Sequence, residues 1–365
     1  MFFIAFLLVI LCGLGYALWH VWCVLPLAKP LKWLAVAVLA AALLSMFLFM
    51  GGRLDTMPLN IASWMYEIST SSIFVLLYLV IIFLVADVAR LCHLLPRAAL
   101  HDNWVTSLSI IVLMAVVFVG GNIKYKNKVR VPLTLTTDKP LGREYKIVMA
   151  SDLHIGYHNR RTELARWIDL INAEQPDFIL IAGDIIDMSM RPLQEERMAE
   201  EFRRLTAPVY ACLGNHEYYS QVPAARQFYA NAGIHLLIDS QTVIDSVITI
   251  VGRDDRTNPR RKAVADVVAD APDSTYTIIL DHQPYELERS EQTKADFQLS
   301  GHTHRGQVWP ISWITDAIYE CSFGPWQRGN TRYYVSSGLG IWGGKFRIGT
   351  QSEYIVATLK PQSIQ

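Results

Sequence analysis

The chain has 365 residues, equal numbers of basic and acidic side chains (33 each) and a mean hydropathy of +0.23. Its charges are unevenly placed: residues 1–123 contain nine charged side chains, whereas residues 124–365 contain 57. The charge-poor part excludes a simple soluble enzyme and a disordered chain. The zero net charge argues against a nucleic-acid-binding protein, which needs a basic surface to meet phosphates.

The charge-poor part contains four runs without Asp, Glu, Lys or Arg that are long enough to cross a bilayer core of about 30 Å. We predict four transmembrane helices that form an anchor over residues 1–123, at 2–27, 33–52, 68–86 and 103–123. Three spans are the alternative, because the third run is the most polar at its start. The length of the first run and the spans that follow it argue against a cleaved signal peptide.

The basic residues around these runs favour two opposite orientations. Lys29 and Lys32 follow the first span, which has no basic residue before it. This favours an outside N-terminus and, with an even number of spans, an outside C-terminal domain. We therefore expect an integral protein of the bacterial inner (plasma) membrane with an extracytoplasmic domain. Four basic side chains after the fourth span favour the reverse: Lys124, Lys126, Lys128 and Arg130.

The charge-rich part alternates strand and helix patterns after a predicted linker over 124–144. We predict strands at 145–150, 177–182, 209–213, 235–238, 247–251 and 276–280, and helices at 162–173, 195–205, 223–232 and 260–269. This alternation indicates an α/β layered domain over 145–362. In such domains ligands bind beyond the carboxyl ends of the strands.

Five polar motifs lie just past apolar strands, and they read SDLH, GDIID, GNHE, DHQP and GHTH. Their side chains with ligand chemistry are Asp152, His154, Asp184, Asp187, Asn215, His216, His282, His302 and His304. Carboxylate, imidazole and amide oxygen suit Mn, Fe or Zn. The two cysteines of this part, Cys212 and Cys321, lack the CxxC spacing of a structural zinc site.

The spacing within the motifs also indicates a metal site. In an extended chain, residues i and i+2 project to the same face, so DxH and HxH each present two ligands together. Glycines before Asp184, Asn215 and His302 allow close approach of the backbone. Asp184 has two oxygens and can bridge two cations, which together clamp the attacking and leaving oxygens of a displacement. Any single motif is more often a helix cap or a core histidine, whereas five in order favour a shared site.

The motif order DxH, GDxxD, GNHE, a lone His and GHxH resembles that of the calcineurin-like metallophosphoesterases. The similarity extends to GHTHRGQ, SSGLG and an RIG…E pattern from Arg347 to Glu353, and it points to the membrane-associated bacterial branch typified by YkuE and YaeI. It covers residues 145–360 and not the four-span region. The resemblance implies a four-layer αββα sandwich with two metals between the sheets.

The resemblance also implies roles for individual residues. One metal would bind Asp152, His154 and His304, the other Asn215, His282 and His302, with Asp184 bridging them. His216 would act beside the scissile phosphate as an electrostatic stabiliser or general acid, and Asp187 would orient it. Met188 stands where the phosphoprotein phosphatases have arginine, which makes protein phosphatase activity a weaker expectation.

These roles predict a membrane-anchored dimetal phosphoesterase that hydrolyses a phosphoester or phosphoanhydride with a metal-activated hydroxide. The expected cofactors are two divalent ions (Mn, Fe or Zn), and the expected partners are the membrane and a phosphorylated small molecule or lipid. The alternative is a non-catalytic binding or regulatory module with the same fold on a membrane anchor.

Other polar and aromatic residues near the motifs leave two interpretations open. Arg305 suits either a phosphate contact or a salt bridge, and His158 is expected to be a solvated loop histidine. Four tryptophans crowd the C-terminal part, either as a membrane-facing or acyl-binding rim or as ordinary core. They are Trp309, Trp313, Trp326 and Trp342.

Overall fold

The computed structural model describes residues 2–48 and 52–362. It divides into two compact units. The first comprises Met1–Ile123 and Gly343–Lys345, and the second comprises Lys124–Trp342 and Phe346–Gln365.

The charge-poor part of the chain is helical at each of the four predicted spans. Its helices are α1 (Phe2–Val24), α2 (Lys29–Leu44), α3 (Leu59–Leu91) and α4 (Trp104–Lys126). Within residues 2–48 and 52–362, the two helices α3 and α4 are long and apolar enough to cross a membrane, and α1 contributes the shorter apolar stretch Leu8–Val24. Residues 49–51 of the predicted second span lie outside the described residues.

Helix α3 begins nine residues earlier than the predicted third span. The polar start of this run is accommodated in the helix, and two of its hydroxyls bond to the helix's own backbone. Thr70 donates to the Tyr66 carbonyl oxygen over 2.7 Å, and Ser72 donates to the Ser69 carbonyl oxygen over 2.6 Å. Such internal bonds satisfy polar side chains within an apolar helix.

The second unit is built from strands and short helices. Its strands are β1 (Lys128–Thr137), β2 (Tyr145–Ala150), β3 (Phe178–Ala182), β4 (Val209–Cys212), β5 (Ile234–Leu236), β6 (Ser240–Ile244), β7 (Ile248–Gly252), β8 (Tyr276–Leu280), β9 (Phe297–Ser300), β10 (Gly324–Arg328), β11 (Thr331–Val335) and β12 (Ser352–Pro361). Its helices are α5 (Arg161–Ala173), α6 (Arg191–Glu195), α7 (Met198–Phe202), α8 (Asn215–Tyr219), α9 (Val222–Ala232), α10 (Val264–Val268), α11 (Leu287–Glu291) and α12 (Ile311–Ile318).

The strands form two six-stranded sheets, in the orders β1-β12-β2-β3-β4-β5 and β10-β11-β9-β8-β7-β6. Strands β2 to β5 run parallel in the first sheet. Strands β7, β8, β9 and β11 run parallel in the second. Because these strands are parallel, the loops that follow their carboxyl ends lie at the same edge of each sheet.

The two sheets pack face to face, with helices on both outer faces. Alternate residues of β2 point in opposite directions: Ile147 and Met149 join the core between the sheets, and Val148 joins the core beneath the helices of the first sheet. Against the second sheet, Val264 and Val267 of α10 cover its outer face. This is the predicted α/β sandwich with two sheets, and its layers follow the order αββα.

The predicted linker over 124–144 contains an edge strand instead. Residues 128–137 form β1, which pairs in parallel with β12. Apolar Val131, Leu133 and Leu135 alternate with exposed residues, as a half-buried strand requires. Pro132 is tolerated because β1 lies at the sheet edge, where a missing N–H breaks no ladder on the outer side. The predicted helix at 195–205 is confirmed in part: α7 lies within it, but the helix is interrupted at Arg197, which adopts a left-handed conformation (φ 52°) between α6 and α7.

Candidate metal centre

The five polar motifs meet at the carboxyl ends of parallel strands from both sheets. Each predicted site residue lies just after its strand: Asp152 and His154 after β2, Asp184 and Asp187 after β3, Asn215 and His216 after β4, His282 after β8, and His302 and His304 after β9. All of them are buried or half-buried. The strand ends therefore bring together ligand side chains that are up to 152 residues apart in sequence.

Asp152, His154 and His304 form one group. Nε2 of His154 lies 3.1 Å from Nε2 of His304 and 3.8 Å from Oδ1 of Asp152. Nε2 of His304 lies 3.5 Å from the same Asp152 oxygen. One ligand atom from each residue lies within 4.8 Å of the others, so the three atoms can share a metal ion.

Asn215, His282 and His302 form a second group. The Asn215 Oδ1 atom lies 3.2 Å from Nε2 of His282 and 2.8 Å from Nδ1 of His302. The Nδ1 atom of His282 points away from this group and lies 2.8 Å from the Ala182 carbonyl oxygen. That contact fixes the ring so that Nε2 faces the shared space.

The Asp184 carboxylate lies between the two groups. Its Oδ2 atom is 3.0 Å from Nε2 of His282 and 3.7 Å from Nε2 of His154. Its Oδ1 atom accepts a hydrogen bond from the backbone N–H of His216 at 2.9 Å. A single carboxylate thus faces ligand atoms of both groups, which is the position that a bridging ligand requires.

Asp187 is buried and faces three histidines. Its Oδ1 atom lies 3.2 Å from Nδ1 of His216 and 3.5 Å from Nδ1 of His154. Its Oδ2 atom lies 3.8 Å from Nδ1 of His158. The histidine rings of 154 and 216 are in edge contact, with centroids 4.5 Å apart. Asp187 therefore orients a candidate ligand as well as His216.

The backbone of the ligand residues is left-handed at several positions, not extended as the DxH and HxH spacing suggested. The residues with φ between 45° and 70° include Asp152, His154, Asp184, His302 and His304. Left-handed non-glycine residues cost about 1–3 kcal/mol each where strained and concentrate at functional sites. This backbone conformation lets polar side chains that are close in sequence face the same site.

Glycine is required where the loops touch. A Cβ atom on Gly183 would lie 2.8 Å from both the Gly214 nitrogen and Nδ1 of His282. The prediction that glycines permit close approach at these motifs is confirmed at Gly183, whose φ is also positive (75°).

The buried carboxylates and imidazoles of the site strongly shift one another's pKa values. Burial lowers the pKa of His302 to about 4 and that of His304 to about 3, so both rings are neutral and have a lone pair for a metal. Burial also disfavours the charged form of His154, but its bonds to Asp152 and Asp187 outweigh burial and raise its pKa to about 10. Buried Asp184 has its pKa held well below normal by His282 and His216. This concentration of buried acidic groups suits a divalent cation.

Glu217 joins two of the ligand loops, a role that the sequence did not reveal. It is fully buried, and its carboxylate accepts backbone N–H bonds from Asp184 (3.1 Å), Ile186 (2.9 Å) and Gly214 (2.7 Å). It therefore fixes the turn after β3 to the turn after β4. Its only sequence signal is its place in the GNHE motif.

Asn159 and Tyr125 support the loop after β2. The Asn159 amide donates to the carbonyl oxygens of Leu153 and His154, both at 3.1 Å, and its Oδ1 atom accepts from the buried Tyr125 hydroxyl at 2.6 Å. Neighbouring His158 is buried, with Nε2 2.7 Å from the Ile341 carbonyl oxygen, so its expected solvation is wrong. The last turn of α4 thereby reaches the ligand loop through Tyr125.

Arg347 is a second supporting residue. Its buried guanidinium donates to the carbonyl oxygens of His304 at 2.8 Å and Gly340 at 3.0 Å, and to the hydroxyl of Ser352 at 3.1 Å. Burial lowers its pKa to about 10, so it remains charged at neutral pH. The fork of the side chain holds the loop of His304 against the loop before β12.

Comparison with known proteins gives a consistent result. Residues 145–306 match the family model described as calcineurin-like phosphoesterase. The chain is 30% identical to an uncharacterized metallophosphoesterase of Campylobacter jejuni over 69% of each chain. It is 31% identical to the uncharacterized metallophosphoesterase YkuE of Bacillus subtilis over 59% of this chain and 79% of that protein.

One similarity extends into the charge-poor part. The chain is 26% identical to a zebrafish (Danio rerio) protein named transmembrane protein with metallophosphoesterase domain, over 90% of this chain and 80% of that protein. An alignment over nine-tenths of the chain includes helices that precede the site-bearing unit.

Proposed function

Because this chain belongs to the calcineurin-like metallophosphoesterases, we propose that it is a membrane-anchored dimetal hydrolase that cleaves phosphoester or phosphoanhydride bonds. The observation that carries the proposal is the Asp184 carboxylate, which faces ligand atoms of both candidate metal groups. A non-catalytic relative would not need a carboxylate that faces two groups of metal ligands.

The residues fit two divalent cations. Asp152, His154 and His304 would hold one, Asn215, His282 and His302 the other, and Asp184 would contact both. All seven offer oxygen or imidazole nitrogen, which suits Mn, Fe or Zn. When bound, two such cations supply an activated water and neutralise charge on a phosphate.

His216 is the candidate proton donor to the leaving oxygen. Its Nδ1 atom lies 2.9 Å from the Asp187 carbonyl oxygen, so Nδ1 carries the proton of that bond and Nε2 is left for the substrate. The Asp187 carboxylate, 3.2 Å from Nδ1, stabilises the protonated ring. In this arrangement His216 donates from Nε2 and Asp187 sets the ring's orientation.

The charge-poor part of the chain indicates where the proposed enzyme acts. Helices α3 and α4 are candidate spans, and we propose that α1 and α2 complete a four-span anchor in a bacterial inner membrane. Lys29 and Lys32 after α1 support an extracytoplasmic site-bearing unit. An enzyme held at a bilayer meets lipid-linked phosphates at high local concentration, which supports a phosphorylated lipid as its substrate.

The test is hydrolysis by the full-length protein, purified in detergent and loaded with Mn²⁺. Bis-p-nitrophenyl phosphate and p-nitrophenyl phosphate report diester and monoester cleavage separately. We expect metal-dependent turnover of at least one substrate and none for Asp184→Asn. Bound metal without turnover of either substrate would instead support the non-catalytic module.

A further inference from the structure

Helix α12 and the residue pair that leads into it expose an apolar face. Trp313, Ile314 and Ile318 are 65%, 57% and 59% exposed, and Trp309 is 38% exposed. The Trp309 and Trp313 rings pack edge to face with centroids 5.4 Å apart. Exposed apolar residues that cluster in this way mark a surface that meets a partner.

Helix α12 carries a single charged side chain, Asp316, which is exposed. The sequence of α12 is ISWITDAI, and its one charged residue, Asp316, accepts a hydrogen bond from the Ser322 hydroxyl. The Thr315 hydroxyl donates to the Ser312 carbonyl oxygen at 2.9 Å. These two polar side chains each have a partner, and Trp313, Ile314 and Ile318 are the large exposed apolar side chains of the helix.

The apolar face is joined closely to the candidate metal centre. Trp309 lies five residues after His304. A Cβ atom on Gly306 would lie 2.5 Å from the Ile311 carbonyl carbon, so the backbone of the His304 loop touches the first turn of α12. A contact this tight leaves the helix little freedom to move independently of the site.

A cationic residue, Arg305, lies between His304 and Trp309 in the sequence. The Arg305 guanidinium stacks over the Phe323 ring, 4.7 Å from its centroid, and has no acidic partner among the residues that the structure describes. A phosphate is the natural partner of such a guanidinium.

The chain connection ties the site-bearing unit to a candidate membrane helix. Helix α4, a candidate span, ends at Lys126, and β1 begins at Lys128, so a single residue joins a membrane helix to the site-bearing unit. A surface of four apolar side chains binds a membrane weakly by itself. A tether this short raises the local concentration of lipid around it, so weak affinity is sufficient.

We propose that Trp309, Trp313, Ile314 and Ile318 form a bilayer-docking surface that enters the lipid interface and presents the metal centre to phosphates at the membrane surface. The exposed apolar face and the short connection between α4 and β1 support the docking. Only the presentation of phosphates rests on the proposed function.

The test places a fluorescent reporter on the face in the full-length protein. Cys12, Cys23 and Cys92 are replaced by Ser, since Cys212 and Cys321 are buried and protected. Ile314→Cys is labelled with an environment-sensitive dye, and the protein is reconstituted, one copy per nanodisc, in phosphatidylcholine with phosphatidylglycerol. Val243→Cys, an exposed aliphatic position on β6, is the matched control. Ile318→Cys supplies a second reporter if the first variant folds poorly.

We expect doxyl-labelled acyl chains to quench the Ile314 reporter several-fold more than the Val243 reporter. Equal quenching at both positions would overturn the proposal. A reporter shielded from water but not quenched by lipid would also overturn it, because protein would then cover the face. Quenching does not depend on turnover: its loss with intact hydrolysis refutes docking alone, and quenching without hydrolysis refutes the proposed function alone.

Discussion

Nδ1 of His216 lies 2.9 Å from the backbone oxygen of Asp187 and 3.2 Å from the carboxylate of the same residue. One residue therefore holds the His216 ring by two contacts, so the ring is oriented before any substrate arrives. The sequence pattern GDxxD…GNHE suggested this pair, and the structure adds His154 as a further neighbour of the same carboxylate.

Replacing His216 by alanine separates its candidate roles. Ligand atoms of His216, His154 and Asp184 also lie within 4.8 Å of one another, so binding metal is the rival role. We expect His216→Ala to keep its metal content and to lose about 10²–10⁴-fold in kcat, the usual contribution of a general acid. Metal analysis beside steady-state kinetics checks this, and loss of metal would show that His216 is a ligand.

Replacing Asp187 by asparagine affects both histidines that it faces. We expect Asp187→Asn to lower kcat as His216→Ala does, and also to weaken metal binding about 10–100-fold, as loss of a partner to a metal-binding histidine does. Titration with Mn²⁺ measures the second effect. Asp169→Asn, at an exposed surface ion pair with Arg204, is the control and should leave both quantities unchanged. Unaltered metal affinity in Asp187→Asn would remove its role toward His154.

Metal binding should release protons. The bonds to Asp152 and Asp187 raise the pKa of His154 to about 10 despite its burial, so the metal-free ring is protonated at neutral pH and must lose that proton to bind a cation. His302 and His304, with pKa values of about 4 and 3, are already neutral and release none. Burial opposes protonation of His282, but Asp184 outweighs it and raises the pKa of this ring as well, so metal affinity rises with pH through the range in which His154 and His282 lose their protons. Calorimetry in buffers of different ionisation enthalpy detects the released proton, and heats that are independent of buffer would contradict this account.

Arg347 supports the site through backbone carbonyls. Arg347→Lys keeps the charge but loses the planar fork, so buried carbonyl oxygens lose their donors. We expect the free energy of unfolding of the second unit to fall by about 1–3 kcal/mol. Arg328→Lys, at a partly exposed ion pair with Glu291, should change it by less than about 0.5 kcal/mol. Equal midpoints for both variants in thermal unfolding would refute the supporting role.

The local pattern of apolar residues was sufficient to predict strands that precede the motifs. Strands β2 and β8 begin and end where the apolar runs at 145–150 and 276–280 indicate, because each is a short buried run bounded by polar residues. The strand-end rule then placed all five motifs at one edge. Strand β1 was not predicted, because Pro132 makes this segment look like a linker. Its partner strand β12 lies more than 200 residues later, so the pairing is not visible in the local sequence.

Residues that act through other residues were not predictable in the same way. Asn159 has no motif, and its role depends on Tyr125 and on the carbonyls of the β2 loop. Arg347 belongs to the RIG…E pattern, but its partners are backbone oxygens, which leave no trace in sequence. The left-handed ligand residues likewise arise from tertiary contacts that override local preference.

We propose that two cations share the Asp184 carboxylate. Electron paramagnetic resonance of the full-length protein titrated with Mn²⁺ tests it most directly, because a shared carboxylate couples the spins of two ions. We predict two bound ions per chain with an exchange-coupled spectrum, which Asp184→Asn abolishes. A single bound ion, or the spectrum of isolated Mn²⁺ at full occupancy, would contradict the account.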